Sequence, residues 1–327
     1  LKESKSLLFL SLFCLWGISL SAQSDVSTIF RFLDVTPNAN ASALGGNHTG
    51  LFEGDYSSFH INPAYLYGSV NGQVSATFVN LLADSKMGFT NGTFQINENN
   101  QIGLGIRFLG YGDFKTLDKD GNELGDFNAI DIALSGAYAT KIATNWSGGV
   151  ALDLIHSSYE QYKSSALAVS GGIYYKNTEE HFSFGASVRN LGTQLSTYAG
   201  VREPLPLDVS VGVSKKPENF PAELSFTLRR LNDWDMRIVG EAKSPGFFDN
   251  AFRHVIFGGK FDFGENFHVR LGYNRYLHEL NKTKENFDFA GVGIGVGFTV
   301  KDLIIDISRN SYSETGGVVQ LSIKTTL

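Results

Sequence analysis

The sequence predicts an all-β chain: a 14-stranded antiparallel transmembrane β-barrel with a short helical plug or lid segment before the first strand. Three observations predict it. From about residue 69 to the end, short segments alternate apolar with small or polar residues, the period of a strand with two unlike faces. The connections between those segments alternate short and long, as in barrels with tight turns at one rim and loops at the other. An export leader precedes a chain rich in Gly (36) and aromatics (13%) and poor in Pro (7).

The leader comes first. Lys2 and Lys5 give a positive start, an apolar run follows from Leu7 to Leu20, and Ser21-Ala22 offers small residues before Gln23. Residues 1–22 are therefore expected to be a cleaved secretory signal peptide. Cys14 lies inside the apolar run behind Phe13, where lipid attachment would want a small residue. Without the leader no cysteine is left, so disulfides are not expected to hold the mature chain. The net charge of −6 gives no reason to expect nucleic acid.

Residues 23–68 do not alternate. In "TPNANASALGG" Thr36 is the expected helix N-cap, Pro37 the first helical residue and Gly45 the stop. "INPAYLY" repeats the logic with Asn62 and Pro63. Two short helices ahead of a barrel suit a plug in the lumen or a periplasmic lid.

Residues 69–327 carry the expected strands: 70–81, 86–96, 101–110, 126–140, 146–156, 165–175, 181–189, 206–214, 222–228, 254–263, 266–276, 287–300, 303–308 and 318–325. In "QIGLGIRFLG", Ile102, Leu104, Ile106 and Phe108 oppose Gly103, Gly105 and Arg107. In "PLDVSVGVSK", Leu207, Val209, Val211 and Val213 oppose Asp208, Ser210 and Gly212. Connections after even-numbered strands are short, and those after odd-numbered strands are mostly long, as at 111–125, 157–164, 190–205 and 229–253. An even strand count with export places the barrel in the outer membrane, with both termini expected in the periplasm. Closing the sheet leaves no edge for lipid to meet.

The stretch "GVGIGVGF", residues 291–298, is the sharpest test of this reading. A dinucleotide loop needs G-x-G-x-x-G opening a helix. The third glycine is misplaced here, and the spacing is two throughout. Val292, Ile294, Val296 and Phe298 are expected to face lipid. Gly291, Gly293, Gly295 and Gly297 are expected to face inward, where another segment approaches the backbone.

The residues point to no catalytic, cofactor or metal site. The histidines, at 48, 60, 156, 181, 254, 268 and 278, are scattered singly, with no metal-ligand spacing. No G-x-S-x-G elbow occurs. His156 beside Ser157 and Ser158 reads as a rim histidine. Asp131, Asp153, Asp208, Asp262, Asp306, Arg107, Arg189, Arg229, Lys260 and Arg270 fall on the inner face. They are expected to pair and fill a narrow lumen or hold the plug, in preference to lining a charged pore. Loops 190–206 and 229–253 carry Tyr198, Arg202, Trp234, Arg237, Phe247 and Phe248. Aromatic and Arg residues anchor protein interfaces, and aromatics also form membrane-interface belts. These six are the candidate partner-docking residues.

Several stretches together resemble one family. These are "FRFLDVTPNANASALGG" with "INPAYL", "FLGYGDFKTLDKDGNELGDFNAIDIAL", "RNLGTQLSTYAGVREPLPLDVSVGVSKK" and "RRLNDWDMR". They are similar to the PorQ proteins of the type IX secretion system of Bacteroidetes, relatives of PorV among the fatty-acid-transporter-like barrels. The resemblance covers nearly the whole chain after the leader, although "ALGG…NPA" alone is shared more widely. It implies a non-enzymatic outer-membrane barrel in a cell-surface attachment complex with PorU, PorV and PorZ. In that complex PorU processes secreted cargo and joins it to lipopolysaccharide, and the PorQ-like barrel holds PorZ at the surface. One departure is the end "SIKTTL", where many barrels end in an aromatic residue. The alternative function is transport of fatty acids or other hydrophobic compounds, which would want an apolar tunnel. A third, an outer-membrane hydrolase, would want a His–Ser or His–Asp pair at the rim.

Overall fold

In a computed structural model, the described residues are 28–327 apart from 69–70, 83, 118, 239, 283–287 and 312–315. The expected signal segment therefore lies outside them. Fourteen antiparallel strands close into one barrel in which each strand pairs with its sequence neighbours and β1 pairs with β14. They are β1 Gln73–Asn80, β2 Lys86–Asn97, β3 Asn100–Leu117, β4 Glu123–Ala143, β5 Trp146–Tyr159, β6 Tyr162–Asn177 and β7 Phe182–Ser196. The second half is β8 Asp208–Lys215, β9 Ala222–Leu228, β10 Val255–Phe263, β11 Phe267–Asn274, β12 Val292–Val300, β13 Leu303–Ser311 and β14 Gly317–Thr326.

The wall is inverted relative to a soluble protein. Leu104, Ile106, Leu134, Leu152, Ile294 and Phe298 are exposed on the outside, while Ser135, Asp153, Ser210, Arg270 and Asp306 are buried inside. An apolar belt outside a polar interior is the pattern of a membrane barrel.

One rim carries the tight turns, such as 144–145 and 301–302, and the other carries the loops, such as 197–207 and 229–254. Two expected long loops prove to be strand. The β5–β6 connection is only residues 160–161, and β3 and β4 run on to Leu117 and back from Glu123. The β2–β3 ladder stops at Lys86↔Gly110 and the β4–β5 ladder at Ala129↔Tyr159. Residues 111–128 thus stand beyond the barrel as a hairpin. Charge and glycine in this stretch read as loop, but Phe114 stacked on Phe127 at 5.2 Å continues the cross-strand pairing.

Residues 28–68 pass down the lumen. A 3-10 turn, Arg31–Asp34, leads to α1, Ala39–Ala43, then to 3-10 turns Tyr56–His60 and Pro63–Leu66, and then to β1. The cap of α1 is Asn38, whose side chain accepts from Ala41 N at 3.0 Å, so the expected start at Thr36–Pro37 moves two residues on. Asn62 caps the last turn as expected, accepting from Ala64 N at 3.1 Å.

Ile29 N donates to Pro204 O under the β7–β8 loop, whereas Leu327 N bonds Gly72 O at the turn end. The first and last described residues are therefore at opposite ends of the barrel. The start of the chain lies outside the described residues, so the expected periplasmic placement of both termini concerns residues that precede this segment; what the structure adds is the length of lumen that residues 28–68 traverse.

Candidate functional site

Glycines let the lumenal segment touch the wall. A methyl group at Gly293 would fall 2.6 Å from Ala43 O, and one at Gly295 would fall 2.6 Å from Ala43 Cβ. Gly272 meets the backbone of Leu44, Gly185 the carbonyl of Thr49 and Gly149 the backbone of Pro63. Two of the inward glycines of "GVGIGVGF", Gly293 and Gly295, are thus a contact track, and the other two are corrections. Gly291 precedes β12 at φ +75° and turns against Asn274 and His278. Gly297 meets the Arg270–Asp306 pair rather than the segment.

Hydrogen bonds add to this packing. Ser183 Oγ donates to Gly50 O at 2.6 Å, Asn62 Nδ2 to Ile173 O at 3.0 Å, and Asn274 Nδ2 to Gly45 O at 3.1 Å. Ion pairs pin the segment at two heights. Arg270 binds Glu53 of the segment at 2.9 Å and Asp306 of β13 at 2.8 Å. Near the loop end, Arg230 reaches Asp34 at 3.3 Å, and Arg189 reaches Asp34 at 3.8 Å and Asp208 at 2.5 Å. Arg107 pairs with Asp153 at 2.7 Å, and His268 and Lys260 both approach Asp262. Asp131 accepts from Tyr111 at 2.7 Å and from Ser157. The ten inner-face charges therefore form pairs and hydrogen-bonded clusters, as buried charges must.

The candidate docking residues divide. Trp234 is 50% exposed, Phe247 68% and Phe248 77%. Ring centroids lie 5.8 Å apart for Trp234–Phe247 and 5.5 Å for Phe247–Phe248. Trp234 also stacks on His254 at 4.9 Å. Phe247 and Phe248 open α2, Phe247–Arg253. The other three candidates do not join the cluster. Tyr198 is half-buried and turns inward to Ser157, Arg202 is exposed on the β7–β8 loop, and Arg237 pairs with Asp235 at 2.8 Å.

Sequence reasoning missed Phe252, 55% exposed on α2, because the helix lies in a stretch read only as loop. It missed Arg253 too, which gathers Glu241 and Asp249 at 2.7 and 2.9 Å and Glu279 of α3, Arg275–Asn281, at 3.8 Å. The spacing of Asp249 and Arg253, four apart, was the available signal.

At the rim His156 does not converge with its neighbour Ser157; the serine it meets is Ser165 of β6, across the strand pair on the outer face of the barrel. The His156 ring faces outward, with Nδ1 3.0 Å from Ser165 Oγ, while Ser157 faces the lumen. Adjacent strand residues point to opposite faces. Among the described residues no group of His, Cys, Asp and Glu has metal-site geometry.

A closed fourteen-stranded barrel with an apolar outside and a lumenal N-terminal segment has the architecture of an outer-membrane β-barrel. No family model and no curated protein matches the chain. Solved structures do. The monoaromatic hydrocarbon channel CymD superposes with TM-score 0.57 at 11% identity, over 92% of this chain and 99% of that one. A Pseudomonas aeruginosa FadL homologue gives 0.55 at 12%, over 89% and 98%. The Pseudomonas putida toluene transporter TodX gives 0.53 at 13%, over 89% and 96%. At such identities the likeness is one of fold. Of these neighbours, CymD is described as a channel and TodX as a transporter.

Proposed function

We propose that this chain is an outer-membrane platform that holds a protein at the cell surface. The observation that carries this reading is the pairing of a lumen occupied by residues 28–68 with an exposed aromatic cluster at the loop end. Binding energy concentrates in a few exposed aromatic anchors, and Trp234, Phe247, Phe248 and Phe252 offer such a set. The sequence resemblance supplies the finer version: a component of type IX secretion that carries a PorZ-like partner, alongside PorU and PorV, with the loop end outward.

The second reading is transport of fatty acids or other hydrophobic compounds, and the fold neighbours favour it. It demands an apolar path through the barrel, whereas the inner wall here carries Gly, Ser and paired charge.

The discriminating experiment is a mild-detergent pull-down of the full chain from native outer membranes. It is compared with the triple variant Trp234→Ser, Phe247→Ser, Phe248→Ser. This variant spares the Arg253 frame of the loop. Recovery of a surface protein near one-to-one, lost in the variant, is the expected result. Intact barrel without a protein partner but with bound fatty acid, together with labelled fatty-acid uptake that depends on the chain, would reject the platform in favour of transport.

A further inference from the structure

Between α1 and the loop-end wall lies a cavity of about 230 Å³ that neither reading uses. At ~30 Å³ per water that is the space of roughly eight waters, or of one sugar unit with an acidic group. Its charged lining is Arg31, Arg229 and Arg230 against Asp34 alone. Asp208 is 3.5 Å from Arg229 but is shared with Arg189 at 2.5 Å, and Asp233 lies near enough to Arg230 to feel its charge. The lining is left with more cation than it neutralises.

The floor is polar and incomplete. Gln320 is 2% exposed and Asn310 5%, and both line the cavity from inward positions of β14 and β13. Asn310 Nδ2 is committed to Ser42 O at 3.4 Å, which leaves its Oδ1 unpartnered, as is Gln320 Oε1. The Nε of Arg229 is likewise buried without an acceptor. An unmet buried acceptor is costly. These atoms are closed to water as the side chains stand, so a ligand's hydroxyls reach the two oxygens by rotation of the Asn310 and Gln320 amides that line the cavity, beside arginines that take its negative charge. Leu277 and Leu280 form an apolar lip, and Arg31 and Leu280 are exposed at its mouth.

We infer that this cavity binds a phosphorylated sugar, either free or as a lipid headgroup. The arginines take the phosphate, and Asn310 and Gln320 accept from sugar hydroxyls. A bare phosphate satisfies only the first set and a neutral sugar only the second.

The test is isothermal titration calorimetry on the full chain in detergent. The probes are glucose 6-phosphate, glucose, inorganic phosphate and dihexanoyl phosphatidylinositol. Glucose 6-phosphate is expected to bind at least tenfold more tightly than glucose or phosphate. Arg230→Gln should weaken it tenfold or more. Gln320→Leu should cut the preference over phosphate, because it removes an acceptor for the sugar hydroxyls and leaves the arginines in place. Heat-modifiable gel mobility checks that each variant is folded. Tighter binding of the lipid than of the free sugar phosphate assigns the ligand to a headgroup, and equal or weaker binding to a free metabolite. Lack of heat with both phosphorylated probes, equal affinity for phosphate alone, or folded variants that bind like the parent would overturn the inference.

Discussion

Arg270 joins three structural units through one side chain. It sits on β11, its Nε reaches Glu53 in the lumenal segment, and its Nη1 reaches Asp306 on β13. All three side chains are nearly inaccessible. Removing the cation leaves two carboxylates buried close together, where breaking a pair costs about 3–5 kcal/mol. Arg270→Met is therefore expected to lower the temperature at which the barrel loses its compact gel mobility. Arg270→Met with Glu53→Gln and Asp306→Asn should recover much of the loss. At Gly272 the quantity that matters is space. A Cβ there would collide with the Leu44 backbone, so Gly272→Val should displace the segment and make it sensitive to added protease. The parent chain is expected to resist.

At the scale of elements, the β9–β10 loop is organised by charge. Arg253 on α2 gathers Glu241, Asp249 and Glu279. Its hydrogen bonds hold the Glu241 carboxyl below the usual carboxylate range. A carboxyl depressed by folding contributes its stabilisation above its unfolded pKa, ~4.3, and loses it as pH falls through the folded value. Rate-corrected hydrogen exchange over 240–254 should thus be steady between neutral pH and about 5 and should rise in acid. In Arg253→Met it should be fast throughout, with a smaller acid step. This frame was not legible in the sequence, because salt-bridged loops have no period. The strands were legible, since each alternates one apolar face against lipid with one polar face inside. Where the reading erred, as at 111–128, the strand pairing continued past the membrane, where both faces meet water and the apolar–polar alternation is lost. The aromatic trio was visible as residue types. Their convergence was not, because Trp234 and Phe247 meet only through the fold of α2.

For the whole molecule, the lumenal segment decides whether a ring of fourteen strands conducts. Removing residues 29–68 while keeping β1 is expected to give a barrel with large, stable ion conductance in planar bilayers. The full chain should show little. A full chain that already conducts strongly would contradict the close packing of Gly272, Gly293 and Gly149 on the segment. The sequence placed a helical piece ahead of the barrel and charges inside it. It did not show which charge meets which, because partners such as Glu53 and Arg270 are 217 residues apart.

The seam between β1 and β14 has a consequence for biogenesis. Residues 28–68 lead directly into the first strand and run the length of the bore, while the last strand closes beside it. Once that seam is zipped, the interior can be reached only through the rims, past loops that fold over one of them. Seating the segment before the ring shuts avoids that passage. A truncated chain lacking β14 would then expose an unfinished cylinder with its filling already seated. The topology thus favours one order of assembly: interior first, wall around it, closure last.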